Sequence, residues 1–193
     1  MHPDLPMQRE IENCLTVLNA GGTILYPTDT IWGIGCDATN AVAVDKVYRL
    51  KQRMESRSLI ILLDDADHLG DYVDFVPDIA RDLLSYVDWP LTIIYPTSKN
   101  LASNVVADDQ SIAIRIVKNE FCRQLIHAFG KPIVSTSANI SGSGPPLTFK
   151  KISQEIIDGV DYIVDSSLDE IHEVKPSRII KLTDNGEFRI IRK

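Results

Sequence analysis

A chain of 193 residues with a net charge of −7 fits one large domain better than two small ones, and it can bury a core without disulfides or a structural metal. Its 44% apolar and 24% charged residues are the balance of an ordinary water-soluble protein, and no apolar run approaches the ~20 residues needed to span a bilayer. The acidic balance argues against a surface that coats RNA or membrane.

Apolar residues Ile11, Leu15 and Leu18 recur at helical spacing, so residues 7–20 are expected to form a helix stopped by Gly21-Gly22. Residues 23–26 read as a short buried strand ended by Pro27, with Thr28-Asp29-Thr30 as a polar loop. Residues 31–36 are apolar but broken by glycine, and an irregular, close-packed turn is expected there. Asn40 is a good N-cap for a helix to about Lys51, with Ala43 or Val44, Val47 and Leu50 as its apolar face. Residues 59–63 are apolar without alternation, which predicts a strand buried on both faces. Two short helices follow, near 65–72 and 77–86, with Pro77 in the first helical position. Residues 91–95 form another strand, and 97–110 a polar loop.

A β-rich segment comes next at 111–116, then a helix over 119–129 ended by Gly130. Residues 132–136 read as a strand running into a loop of small and turn residues, 137–146. Thr148 is expected to cap a helix to about Asp158. Strands over 162–165, 178–182 and 188–191 complete the chain, the last two antiparallel and joined by Asn185-Gly186. No repeat and no linker interrupts this order, so the expectation is one α/β domain on a mixed sheet over residues 1–193.

The first ten residues lack the basic-then-apolar pattern of a secretory signal. Cys14, Cys36 and Cys122 are far apart and form no CxxC, which fits reduced thiols in a cytoplasm. The histidines are equally scattered, so no dedicated metal site is expected.

Three stretches carry chemistry. The first is a basic run, Lys46, Arg49, Lys51, Arg53 and Arg57 against the single acid Glu55, in a chain that is otherwise negative. A solvated helix end with cations favoured by the dipole explains Lys46 and Arg49. Lys51, Arg53 and Arg57 lead into an apolar strand and read equally well as a site for a small polyanion such as a nucleotide triphosphate. The second is Tyr26-Pro27-Thr28-Asp29-Thr30, which is either turn chemistry or a ligand site where strands open into loops. The third is Ser135-Thr136-Ser137-Ala138-Asn139, whose hydroxyls, amide and N–H groups make a neutral cradle for a charged ligand. No G-x-S-x-G or S-x-x-K supports a serine nucleophile, and no Walker A loop is present. Residues 33–38 match G-x-G-x-x-A only loosely, away from a strand–helix junction.

Taken together, these stretches resemble the YrdC-like family of threonylcarbamoyl-AMP synthases over nearly the whole chain. The resemblance rests on Tyr26 to Thr30 with Gly33 to Ala38, Lys51-Gln52-Arg53, Ile112-Ala113-Ile114-Arg115, Ser135 to Gly142, and Pro176-Ser177. It implies a twisted mixed sheet, parallel and antiparallel, flanked by helices around a large basic-lined cavity. It also implies a reaction in which L-threonine, bicarbonate and ATP give threonylcarbamoyl-AMP and pyrophosphate, for modification of tRNAs that read ANN codons. Carried over by motif, Thr30, Arg115, Ser135 and Ser177 fall where the family holds threonine. Lys51, Arg53, Arg57, Ser111, Ser137, Asn139, Pro145 and Arg192 fall where it holds ATP, with Arg189 a near alternative to Arg192. Lys51 and Arg53 are the catalytic pair on this resemblance. Mg2+ would be carried mainly by the ATP phosphates.

The chain departs from the family pattern at Met54, where proline is usual, at Trp32, where tyrosine is common, at Trp89, where the pattern has glycine, and at Arg178, a large cation beside the expected threonine site. Two other readings stay open. One is a non-catalytic module that binds double-stranded RNA or tRNA, a label the family has carried. The other is a related adenylyl transferase for another amino acid. Expected partners are ATP, L-threonine, bicarbonate and tRNA or tRNA-modification proteins, in a cytoplasmic monomer or homodimer without membrane contact.

Overall fold

Local chemistry sets the ends of the helices. The Asn40 side chain accepts from Val42 N and Ala43 N to start α2 (Ala41–Leu50), which ends at Lys51. Asn119 likewise accepts from Cys122 N to start α5 (Glu120–Phe129), and Gly130 ends it with φ 68°, a left-handed turn that glycine adopts without strain. Helix α1 (Leu5–Asn19) buries Ile11, Cys14 and Leu18, one stripe at helical spacing. The computed structural model that shows these elements describes residues 5–52, 59–169, 176–183 and 187–193.

Between the helices run strands β1 (Ile24–Tyr26), β2 (Gly33–Gly35), β3 (Ile60–Leu63), β4 (Leu91–Tyr95), β5 (Ile112–Ile116), β6 (Ile133–Ser137), β7 (Tyr162–Ile163), β8 (Arg178–Leu182) and β9 (Phe188–Arg192). Short helices α3 (Leu69–Tyr72), α4 (Asp78–Tyr86) and α6 (Gln154–Gly159) fill the connections. All nine strands join one mixed sheet in the order β7-β1-β2-β6-β3-β5-β4-β8-β9. Pairs β1/β7, β3/β5 and β4/β8 are parallel and the others antiparallel. The hairpin pairing of β8 with β9 is as expected, while its turn at Asn185-Gly186 lies outside the described residues.

Three expectations need correction. Residues 31–36 are not an irregular turn: Gly33–Gly35 is a strand held antiparallel between β1 and β6. Glycine is there because the neighbours approach too closely for a side chain. A Cβ on Gly35 would stand 2.7 Å from Tyr26 Cε1 and 2.8 Å from Val134 O. Gly35→Ala is therefore expected to cost about 2 kcal/mol of stability by overpacking, read as a lower urea midpoint; an unchanged midpoint would contradict this close approach. The helix expected from Thr148 is also broken, into a 3-10 turn over Phe149–Lys151 and α6. Ile152 turns extended between them and is buried, so its side chain and that of Ile156 both reach the core. Pro77 sits one place earlier than expected, as the N-cap of α4.

The two faces of the sheet are covered unequally. On one, Val44, Val47 and Tyr48 of α2 and Ala80 of α4 pack in a cluster with Ile61, Leu63, Ile93, Ile114, Val134 and Ile180. On the other, Ile11 and Leu18 of α1 and Phe121 and Leu125 of α5 pack with Ile24, Tyr26, Leu62 and Ile133. Those two helices leave part of this face open, and the hollow described below occupies it.

Beyond β3, Asp64 accepts from His68 Nδ1 at 2.8 Å and meets His127 Nδ1 at 3.2 Å, which ties the strand end to α5. The hydrogen bond to Asp64 raises the His68 pKa above its ordinary value of 6.5. A raised folded-state pKa contributes stability that is complete below the unfolded value and fades as pH rises through the folded one. His68→Gln is expected to lose about 0.5 kcal/mol at pH 6 and almost nothing at pH 8.5, the exposed ring limiting the size. Urea melts at the two pH values measure it; an equal loss at both would rule out the ionic contribution.

Candidate active site

Register places the floor of the hollow. Ser135, Ile60, Ala113 and Ile94 are neighbours across β6, β3, β5 and β4. Two residues along, Arg115, Thr92, Ile179 and Arg192 form a second row across β5, β4, β8 and β9. Side chains two apart on a strand share a face, so both rows present to the same side. The cavity that these residues other than Thr92 line, with Thr30, Ser137, Asn139, Pro145 and Ser177 at its walls, has a volume of about 500 Å³, and Thr92 lies buried beneath it. A larger depression of about 870 Å³ runs along α1 among Gln8, Arg9, Glu10 and Glu12, without the buried polar groups that mark a site.

Arg115 dominates the hollow. It is 4% exposed, deep in a sheet face where an unpaired charge is expensive. Nη1 donates to Thr30 Oγ1 at 3.2 Å, and Nη2 lies 3.2 Å from Asp29 Oδ1. The contact with Asp29 lacks hydrogen-bond alignment. Arg115 Nε and Nη2 and Asp29 Oδ1 are thus buried without a hydrogen-bond partner among the described residues. Nε and Nη2 share one edge of the guanidinium, the edge that takes a carboxylate or phosphate with two parallel bonds. Thr30 is held for its part by Thr28, whose Oγ1 donates to Ile31 O and accepts from Thr30 N.

Arg192 reaches the same hollow from the edge strand. Its Nε donates to Ser177 O at 2.8 Å and its Nη2 to Ser177 Oγ at 3.1 Å. Burial, and then the charge of Arg115, lower its pKa from the ordinary value. Two guanidiniums therefore face one space, with Asp29 beside one of them.

Lys51 is 2% exposed, and its ammonium donates to Ser137 O and, at 2.7 Å, to Asn139 O. The bond from Ser141 N to Lys51 O, at 2.9 Å, closes the tie between the end of α2 and the loop after β6. Asn139 Nδ2 donates to Ser143 O and Ile140 O, and its buried Oδ1 has no hydrogen-bond partner among the described residues.

Most residues named from the sequence converge here. Thr30, Arg115, Ser135, Ser137 and Asn139 line the hollow, as do Pro145, Ser177 and Arg192. Lys51 adjoins it through the two carbonyls. Ser111 is elsewhere: it is buried and its Oγ donates to Asp109, whose carboxyl is pulled down to about 2 chiefly by Lys181 and then by Ser111. Arg53 and Arg57 lie outside the described residues, as does Met54. Of the alternatives at the C-terminal end, Arg192 lines the hollow and Arg189 stands opposite Lys181. Arg178 does not close the pocket; its guanidinium stacks 4.1 Å from the exposed Trp89 ring. Trp32 forms part of the wall, its Nε1 bonded to Asp169 at 2.8 Å and its ring tilted against Phe149. Sequence reasoning missed Asp29 as the carboxylate beside Arg115 and missed a role for the buried Thr92, although both sit inside stretches already singled out.

Comparison with known proteins bears on the fold and the family. The family model Sua5/YciO/YrdC, described as telomere recombination, matches residues 16–193. The threonylcarbamoyl-AMP synthase of Idiomarina loihiensis is 36% identical over 171 residues, 87% of this chain and 91% of that protein. That of Pseudoalteromonas translucida is 34% identical over 187 residues, 94% of this chain and 98% of its own. Among solved structures, P. abyssi Sua5 complexed with L-threonine superposes with a TM-score of 0.82 at 26% identity, covering 90% of this chain and 51% of that one. The present chain thus spans about half the length of that relative. E. coli YciO gives a TM-score of 0.82 at 25% identity, over 96% of this chain and 89% of its own. With the family model covering nearly every residue and the same fold recurring in these structures, the chain belongs to the Sua5/YciO/YrdC family.

Proposed function

We propose that this protein is an L-threonylcarbamoyladenylate synthase, joining L-threonine, bicarbonate and ATP with release of pyrophosphate. The observation that carries the reading is Arg115, buried in the hollow beside Asp29 with no hydrogen bond at the Nε or Nη2 of its guanidinium among the described residues. The edge they share is made for a planar anion, and a substrate α-carboxylate supplies one. Sua5, at 26% identity, was solved with L-threonine, and relatives of similar length are named for the synthase activity.

The chemistry needs little covalent help. The threonine amine adds to carbon dioxide and gives up a proton to form a carbamate; starting from bicarbonate, the same step releases water. A carbamate oxygen then attacks the α-phosphorus of ATP, and the bond to the bridging oxygen breaks as pyrophosphate leaves. The protein supplies position and charge. In this reading Arg115, Thr30, Ser135 and Ser177 hold threonine, while Ser137, Asn139, Pro145 and Arg192 face the nucleotide. Lys51 sets the loop that carries Ser137 and Asn139. Arg53 and Arg57 neutralise phosphates by the same family pattern. The exposed residues 141–145 border the hollow and would exclude water from the labile carbamate when closed over it.

No group of three His, Cys, Asp or Glu able to hold a metal is present among the described residues. In this reading a Mg2+ would be carried by ATP phosphates and water, with Asn139 Oδ1, which has no hydrogen-bond partner among the described residues, nearby. That ion would screen the charge on the triphosphate. The product would pass to tRNA-modifying partners in the cytoplasm.

Pyrophosphate release, screened across the amino acids with ATP and bicarbonate present, tests the reading. Threonine is expected to give the highest rate. Release that is independent of any amino acid, or a clear preference for another one, would overturn it.

A further inference from the structure

Thr92 lies at the centre of the second row and closes Trp89-Pro90-Leu91-Thr92, the stretch set against the family's Gly-Pro-x-Thr, but it carries no role in the expectations drawn from the sequence. It is fully buried, stands across from Arg115 in β5 and from Ile179 in β8, and its Oγ1 is 2.8 Å from Ser177 Oγ. Ser177 Oγ also accepts from Arg192 Nη2. Arg192 is on this face because β9 carries an extra residue: Ile180 pairs with Ile190, but Ile179 pairs with Arg192. In an unbulged strand Ile191 would face Ile179, and Arg192 would fall one place further on, toward the opposite face.

The protons in this cluster can be assigned. A buried hydroxyl donor needs an acceptor, and among the described residues Thr92 has Ser177 Oγ alone. Thr92 therefore donates to Ser177, as Arg192 does. A hydroxyl oxygen has two acceptor positions and one proton. With both positions filled, Ser177 has its proton left to give, and the hollow is where it faces.

We propose that Thr92 is a positioning residue, which by occupying Ser177 Oγ together with Arg192 turns Ser177 into a committed hydrogen-bond donor toward an anionic oxygen of the amino-acid substrate. The inference rests on the synthase reading and gives that reading a specificity element on the carboxylate-bearing substrate. Arg192 keeps its bond to Ser177 O whatever occupies position 92, so the nucleotide side is little affected.

Thr92→Val keeps the shape and removes the hydroxyl. It is expected to raise the KM for threonine about tenfold, the scale of one hydrogen bond to a charged group, with the KM for ATP and kcat within about threefold. Thr92→Ser restores the hydroxyl without the methyl and is expected to return the threonine KM to near the wild-type value. In a Ser177→Ala background, Thr92→Val is expected to add no further loss, because Thr92 acts through Ser177. An unchanged threonine KM in Thr92→Val, a Thr92→Ser as defective as Thr92→Val, or additive losses in the double variant would each overturn the role. Wild-type turnover separates the failures: if the wild type shows no threonine-dependent pyrophosphate release, the synthase reading itself falls.

Discussion

Arg115→Lys is expected to lower kcat/KM for threonine by about a hundredfold while the protein stays folded. The scale follows from one charge-assisted contact in an enclosed site, roughly 2–4 kcal/mol of transition-state stabilisation. Lysine keeps the positive charge beside the buried Asp29, so no carboxylate is left alone. It cannot keep the geometry. An ammonium is a point donor, and it cannot bond Thr30 Oγ1 while presenting a two-pronged edge to a substrate. Alanine would be a poorer test, because it strands Asp29, 8% exposed, without its counter-charge and would cost about 3–5 kcal/mol of stability. Steady-state kinetics with threonine varied, beside a thermal melt, separate the two effects. Near-normal kcat/KM in Arg115→Lys would mean that the amino acid is gripped elsewhere.

Lys51→Met is expected to remove nearly all turnover and to destabilise the protein by about 2–4 kcal/mol. The stability loss comes from Ser137 O and Asn139 O, which would lose their shared donor in a site where water does not replace it. The activity loss follows from the same event. Ser137 and Asn139 border the hollow, and the loop from 138 to 146 is tied to Lys51 at both its ammonium and its carbonyl. Limited proteolysis gives an independent measure: the exposed residues 141–145 should be cleaved faster in the variant. A Lys51→Met protein with wild-type stability and turnover would show that the tie is dispensable. This role stands beside the expectation drawn from the sequence, which aimed the Lys51 ammonium at phosphate. In the structure the ammonium also organises the loop.

The basic run at 46–57 was thus legible only in part. Lys46 behaves as an ordinary surface cation, donating to Gly21 O at 2.9 Å and lying 3.9 Å from Asp161. Lys51 is an internal strut. The positive wall of the hollow seen among the described residues comes from Arg115 and Arg192, which are distant in the chain from that run and from each other. Charge density along a sequence reports neighbours in the chain, whereas a cavity collects charge from strands that meet only in the sheet. The motif residues fared better. Thr30, Ser135, Ser137 and Asn139 sit at strand ends that open on one side of the sheet, and short-range pattern carries that information.

From the sequence alone came the helix caps at Asn40 and Gly130, the buried character of β3, and the antiparallel pairing of β8 with β9. Each is decided within a few residues by hydrogen bonding of a side chain to its own backbone, or by the period of apolar residues. The tertiary structure alone decided that Gly33–Gly35 is a strand, that Asp29 lies against Arg115, that Thr92 joins Ser177, and that a bulge carries Arg192 to the open face. These depend on register between segments far apart in the chain. A shift of one residue in register exchanges the two faces of a strand, and no local pattern records which face a distant partner will meet.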